Sequence, residues 1–98
     1  MLGYTVRVNV EFSSKARKQL VRVPVHIARK FALWVDLVRV DGLEAARAVS
    51  GFRDHALKGE WHGYRAIRLS DAYRAIYIVR DRGAIETVCV EEVNKHDY

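Results

Sequence analysis

The chain is nearly free of cysteine. Cys89 is the only one in 98 residues, so no internal disulfide can form, and its place in the apolar run from Ile85 to Val90 reads as a core position. A reducing, cytoplasmic setting is the simplest one for such a chain. Long hydrophobic runs are missing as well. Met1 to Val10 alternates instead of building a continuous apolar segment, and no window approaches the roughly 20 apolar residues of a membrane span. The expectation is a cytoplasmic protein with no signal peptide and no membrane association. No glycine-rich phosphate loop precedes a helix, which leaves nucleoside-triphosphate chemistry without support. No HExxH occurs, and His55, His62 and His96 lack the regular spacing of a structural zinc site, so no metal and no other cofactor is expected. Repeats, linkers and low-complexity segments are also absent from the sequence.

What is present is one domain, residues 1–98, and an excess of positive charge. A domain of this length buries roughly 65% of the surface its unfolded chain exposes, enough for a modest core without staples. Seventeen Lys and Arg against twelve Asp and Glu leave a net charge of +5. That balance favours nucleic acid, an acidic partner or an anionic surface, and charge alone does not separate these from an evenly solvated basic exterior.

Val6, Val8, Val10 and Phe12 alternate with Arg7, Asn9 and Glu11, the period-two pattern of a first strand. Ser13-Ser14 can cap a helix from Lys15 to Val23 whose cations leave a narrow apolar stripe. Pro24 ends that helix or opens the next. From Pro24 to about Val40, the residues Ala28, Phe31, Ala32, Val35 and Val38 recur at helical spacing, and Ile27 and Trp34 widen the stripe. Asp41-Gly42 is a helix stop, and Leu43 to Val49 reads as a short helix. Tyr64 to Leu69, Tyr73 to Arg80 and Ala84 to Val93 then predict three strands, joined by turns at Ser70-Asp71 and Asp81-Arg82-Gly83. The order implies an α+β fold, with helices on one face of a mostly antiparallel sheet and the other face open. Alternation puts Ile67 and Leu69 on one face and Tyr64, Ala66 and Arg68 on the other.

The stretch from Asp54 to Leu69 concentrates proton carriers and cations beyond what a turn and a strand require. Arg68, on the open face, presents a fork of donors that matches a phosphate and stays charged. A cross-strand salt bridge is the alternative use for it. Arg65 has the opposite parity and suits a solvated or loop-anchoring role. His55 can give or take a proton at neutral pH, and His96 in the tail can do the same if the tail folds across the open face. Two histidines flanking an arginine would suit RNA cleavage, in which a base activates the 2′-hydroxyl, a cation stabilises the phosphorane and an acid protonates the leaving 5′-oxygen. Trp61, Tyr64, Tyr73, Tyr77 and Tyr98 could stack on unpaired bases beside Lys58 and Arg68. Tyr73 and Tyr77 share parity with Ala75, so packing within the sheet is the competing reading, and it is stronger for Tyr77.

Asp54-His55-x-Leu57-x-Gly59-x-Trp61-x-Gly63-Tyr64-Arg65, then Tyr73-Arg74-Ala75-Ile76-Tyr77 and the tail Glu92-Val93-Asn94-Lys95-His96-Asp97-Tyr98, together resemble toxins of the RelE/ParE superfamily of bacterial toxin–antitoxin pairs. The segment from the loop into the strand looks most like the YafQ and YoeB branches. The resemblance implies a β-α-α-β-β-β fold of the RelE-like, microbial ribonuclease type. It also implies a metal-independent endoribonuclease, an mRNA interferase acting on messenger RNA in the A site of the 30S ribosome, with a cognate antitoxin as partner. Carried over by position, His55, Arg68, His96 and Tyr98 match active-site positions of those branches. Arg74 matches a phosphate-contacting arginine of the RelE branch. Simple alternation nevertheless groups Arg74 with Ile76 and Ile78 on the core side. Lys58, Trp61, His62, Arg65, Tyr73 and Lys95 make up the expected RNA-binding set. Ala66 stands where the RelE branch supplies a lysine, and Ala72 where the YafQ branch has an acidic residue. A ParE-like inhibitor of DNA gyrase and an RNA-binding domain without catalysis are the alternative readings.

Overall fold

The computed structural model describes residues 7–82 and 85–95. Strand β1 (Arg7–Phe12) leads into helices α1 (Ser14–Arg22), α2 (Val25–Asp41) and α3 (Leu43–Ala48). After a 3-10 turn at Ser50–Phe52 come the two-residue strand β2 (His55–Ala56), a second 3-10 turn at Gly59–Trp61, and strands β3 (Arg65–Arg68), β4 (Tyr73–Arg82) and β5 (Ile85–Lys95). They form one five-stranded sheet in the order β1-β5-β4-β3-β2. β1 runs parallel to β5, and every other pairing is antiparallel. This is the expected α+β layout, with β2 added at one edge where sequence reading placed only a loop.

Ser13 joins the first strand to the first helix. Its hydroxyl accepts from the Ala16 backbone N–H at 2.9 Å, satisfying one of the helix's free donors, and donates to the Glu91 carbonyl at 2.7 Å. α1 thus starts pinned to β5. At the other end of the same helix, Gln19 Oε1 accepts from the Val93 N–H at 2.7 Å. Both contacts flank a bulge: Ile76 faces Glu92 while Tyr77 faces Val90. The extra residue, Glu91, restores the inward alternation, so Val90 and Val93 both face the helices although three positions separate them.

α2 carries the core. Ile27, Phe31, Trp34 and Val38 follow one another at spacings of four, three and four, and together with Val35 they are buried. Ala28 is only half-buried and Ala32 is exposed, so the buried stripe is centred on the larger side chains, which fill the space over the sheet. Phe31 stacks on Trp34, and Trp34 leans on Tyr77 with ring centroids 5.1 Å apart. Gly42, at φ 90, turns the chain from α2 into α3, a backbone conformation that a residue with Cβ adopts only at a cost.

Two expectations about the sheet need correction. On β4 the residues packed into the core are Ala75 and Tyr77, with Tyr73 and Val79 against it. Arg74, Ile76 and Ile78 therefore lie on the opposite face. Ile76 misled the alternation because it is 1% exposed yet is not part of the cluster beneath the helices; in register it lies between Ala66 and Glu92. Cys89 is likewise half-buried, not core, and pairs in register with Ile78 and Glu11 on that same face. The second turn falls partly on residues 83–84, outside the described residues. No helix among the described residues is long and apolar enough to cross a membrane.

Candidate active site

The sheet register decides what the open face presents. His55 pairs with Ala66, Arg68 pairs with Arg74, and Arg74 pairs with Asn94. Because cross-strand partners share a face, these side chains stand together on the side away from the helices. A cleft of about 290 Å³ opens there, lined by Arg53, His55, Arg68 and Arg74, with Ile67, Tyr73 and the turn residues Ser70 and Asp71 completing it. Among the described residues, three guanidinium groups and one carboxylate give the cleft a positive potential suited to an anion.

Arg68 is held at the cleft edge by its own turn. Its Nη2 lies 2.6 Å from Asp71 Oδ1, and its Nε points to the Ser70 carbonyl at 3.4 Å. The pair joins residues three apart within the turn, so the cross-strand bridge considered from sequence is not what forms. Asp71 is 99% exposed, and an ion pair so open to water adds little stability, leaving Arg68 free to exchange its partner for a phosphate. Ser70 shapes the turn, its hydroxyl accepting from the Ala72 and Tyr73 N–H groups at 3.1 Å each. Arg74 is different. Its Nε is buried and has no hydrogen-bond partner among the described residues.

His55 sits exposed on β2, with Nδ1 2.7 Å from the Arg53 carbonyl. A carbonyl only accepts, so Nδ1 carries a proton and Nε2 is the atom left to take or give one. Arg53 holds φ 46 and ψ 47, the one left-handed residue other than glycine among the described residues. That turn of the backbone aims its carbonyl at the imidazole.

Asp54, between them, points inward and its side chain is 0% exposed. Its Oδ1 accepts from Arg65 Nε at 2.6 Å, and its Oδ2 accepts a short bond from the Tyr77 hydroxyl. The Tyr77 oxygen in turn faces Arg47 Nε of α3 at 3.5 Å. Arg65 thus anchors the loop, as its parity suggested. Tyr77 is fully buried; burial, reinforced by the neighbouring Asp54, pushes its phenol up to about 12.

The remaining sequence candidates are spread more widely. Tyr73 lines the cleft while resting against the core. Trp61 meets Tyr64 edge to face with ring centroids 5.1 Å apart, and Lys58 and His62 flank the same 3-10 turn, both exposed. None of these four lines the cleft. Lys95 is exposed and lies opposite Tyr73 in the register. His96 and Tyr98 lie outside the described residues. Sequence reasoning missed Arg53 and the inward turn of Asp54; a cation directly before the Asp54-His55 pair was the available signal for the first. Among the described residues no three His, Cys, Asp or Glu side chains converge as metal ligands would.

A two-layer α+β fold with its cationic cleft on the sheet face away from the helices defines the class of molecule. No family model matches the chain and no curated protein does, but solved structures do. The chain is similar to YafQ from Escherichia coli, at 18% identity and a TM-score of 0.71, with 92% of this chain and 94% of that one covered. It is similar to the YoeB–YefM complex from Staphylococcus aureus, at 18% identity and a TM-score of 0.68, covering 93% and 99%. It is also similar to the toxin–antitoxin complex RelBE2 from Mycobacterium tuberculosis, at 25% identity and a TM-score of 0.61, covering 95% of each chain. The chain has the fold of RelE-like toxins.

Proposed function

We propose that this chain is the toxin of a toxin–antitoxin pair and that it cleaves messenger RNA on the ribosome. The observation that carries the reading is the convergence of His55 with Arg53, Arg68 and Arg74 in one cleft on the open sheet face. His55 Nε2 takes the proton of a ribose 2′-hydroxyl, and the freed oxygen attacks the adjacent phosphorus. Arg68 and Arg74 neutralise the charge that builds on the non-bridging oxygens of the phosphorane, where preorganised donors contribute most. The 5′-oxygen leaves with a proton from an acid, a role open to His96 and Tyr98, which match active-site positions by sequence resemblance. The products are a 2′,3′-cyclic phosphate and a 5′-hydroxyl. Trp61, Lys58, His62 and Lys95, outside the cleft, hold flanking RNA. The pairing of toxin with antitoxin in the RelBE2 complex supports a cognate antitoxin for this chain.

Primer extension on a reporter message in a translating extract tests the proposal, with the wild-type chain beside Arg68→Ala and His55→Ala. Cuts inside the reading frame that vanish in the variants support it. Intact message despite growth arrest, with induction of the DNA-damage response, would overturn it in favour of gyrase inhibition.

A further inference from the structure

The geometry points to Asp54 as a positioning residue, one that fixes the protonation geometry of His55 by anchoring the backbone between them and the Arg53 carbonyl. This rests on the reading of His55 as the proton carrier of the cleft. Three observations support it. The Asp54 side chain is wholly buried and bonded to two different strands, through Arg65 on β3 and Tyr77 on β4. The residue immediately before it, Arg53, is held left-handed, a conformation that a residue with Cβ keeps only where its surroundings over-determine it. The residue immediately after it, His55, gives its Nδ1 proton to the carbonyl of that same Arg53.

These three residues act as one unit. Turning the Cα–Cβ bond of Asp54 away from its two partners would rotate the peptide planes it shares with Arg53 and His55, and the Arg53 carbonyl would then lose its aim. Released from that acceptor, the imidazole is free to place its neutral-state proton on Nε2, which leaves no lone pair there to receive the 2′-hydroxyl proton. Asp54 itself touches no substrate, because its carboxylate faces into the protein. A structural aspartate serving the core alone would have no reason to sit between a strained residue and the one imidazole that lines the cleft among the described residues.

The test measures the imidazole directly. In the nitrogen-15-labelled full chain, two-bond proton–nitrogen correlations assign the tautomer of His55 when neutral. The wild type is expected to show the Nδ1–H form. Asp54→Asn keeps the size of the side chain and one acceptor for Arg65 but cannot hold both partners as the carboxylate does. It is expected to shift His55 towards the Nε2–H form and to lower kcat for RNA cleavage about 10²-fold, with KM unchanged. Tyr77→Phe, which removes one anchor and keeps the ring, is expected to move both in the same direction by less. His55 remaining in the Nδ1–H form in both variants would overturn the inference. If only Tyr77→Phe folds, its tautomer decides. A wild-type chain that cuts no RNA would remove the proposed function while the tautomer measurement still judged the role of Asp54.

Discussion

Arg68 and Arg74 stand directly opposite each other across β3 and β4. Like charges in that position repel, and a sheet chosen for stability alone would avoid them. Arg68 is partly relieved by Asp71 at 2.6 Å. Arg74 has no such relief at its buried Nε. An unmet buried donor costs about 1–3 kcal/mol, so this pair marks a place where the fold gives up stability to hold two cations side by side.

Replacing Arg74 by methionine, which keeps the aliphatic stem, should therefore stabilise the protein by about 1 kcal/mol. For a domain of this size that is a rise in Tm of roughly 4–8 °C. The same variant should lose RNA cleavage. Inorganic phosphate should raise the Tm of the wild type and do so much less in Arg74→Met, because a ligand stabilises only the state that binds it. A thermal melt with and without phosphate decides the matter. A lower Tm for the variant would mean that the arginine is structural.

His55 makes the complementary case. Its side chain is exposed and, among the described residues, bonds the Arg53 carbonyl alone, so His55→Ala should change stability by no more than about 0.5 kcal/mol. The loss of a general base should still slow cleavage by about 10²–10⁴-fold. Equal cleavage by both chains, measured on translating ribosomes, would remove His55 from the mechanism.

The contrast between these two residues reflects what the sequence made legible. The helices, the long strands and the outward direction of Arg68 followed from periodicity, because one face of each element is apolar. Simple alternation groups Arg74 with the core side because Ile76 and Ile78 share its parity and read as core, although the family resemblance keeps Arg74 among the site residues. Burial of Ile76 in fact arises on the open face, where the sheet is not simply solvated. β2 was missed because two residues carry no period. Pairing with Ala66 makes it a strand, and only the folded chain brings that partner near. The left-handed backbone of Arg53 had no sequence signal, since glycine or asparagine is the usual occupant of that conformation.

Arg53 itself yields a prediction with opposite signs in two measurements. Glycine adopts φ 46 without the Cβ clash that an arginine bears there. Arg53→Gly should therefore leave stability unchanged or raise it by up to about 1 kcal/mol. It also removes one of the guanidinium groups that line the cleft. RNA affinity should fall, and the salt dependence of binding should become shallower by about one phosphate contact. Urea melts and binding titrations over a range of salt test the two halves separately.

Tyr77 makes the fold sensitive to alkali in a direction that can be worked out. Its phenol ionises normally at 10.0 in the unfolded chain and at about 12 in the folded one, because burial and the neighbouring Asp54 disfavour the phenolate. A group that holds its proton more tightly when folded stabilises the fold fully below the unfolded value and loses that contribution as pH rises through the folded one. Stability should thus fall between pH 10 and about 12, by on the order of 2–3 kcal/mol from this group. Tyr77→Phe removes the ionisation but leaves Asp54 Oδ2 without its phenolic donor, so the variant should be weaker at neutral pH by about 1–3 kcal/mol. Its stability should then decline less steeply than the wild type's through the alkaline range, and the two curves should converge. Urea midpoints measured for both chains across that range give the comparison. Parallel curves would place the alkaline transition on lysines or other tyrosines and not on the Asp54–Tyr77 bond.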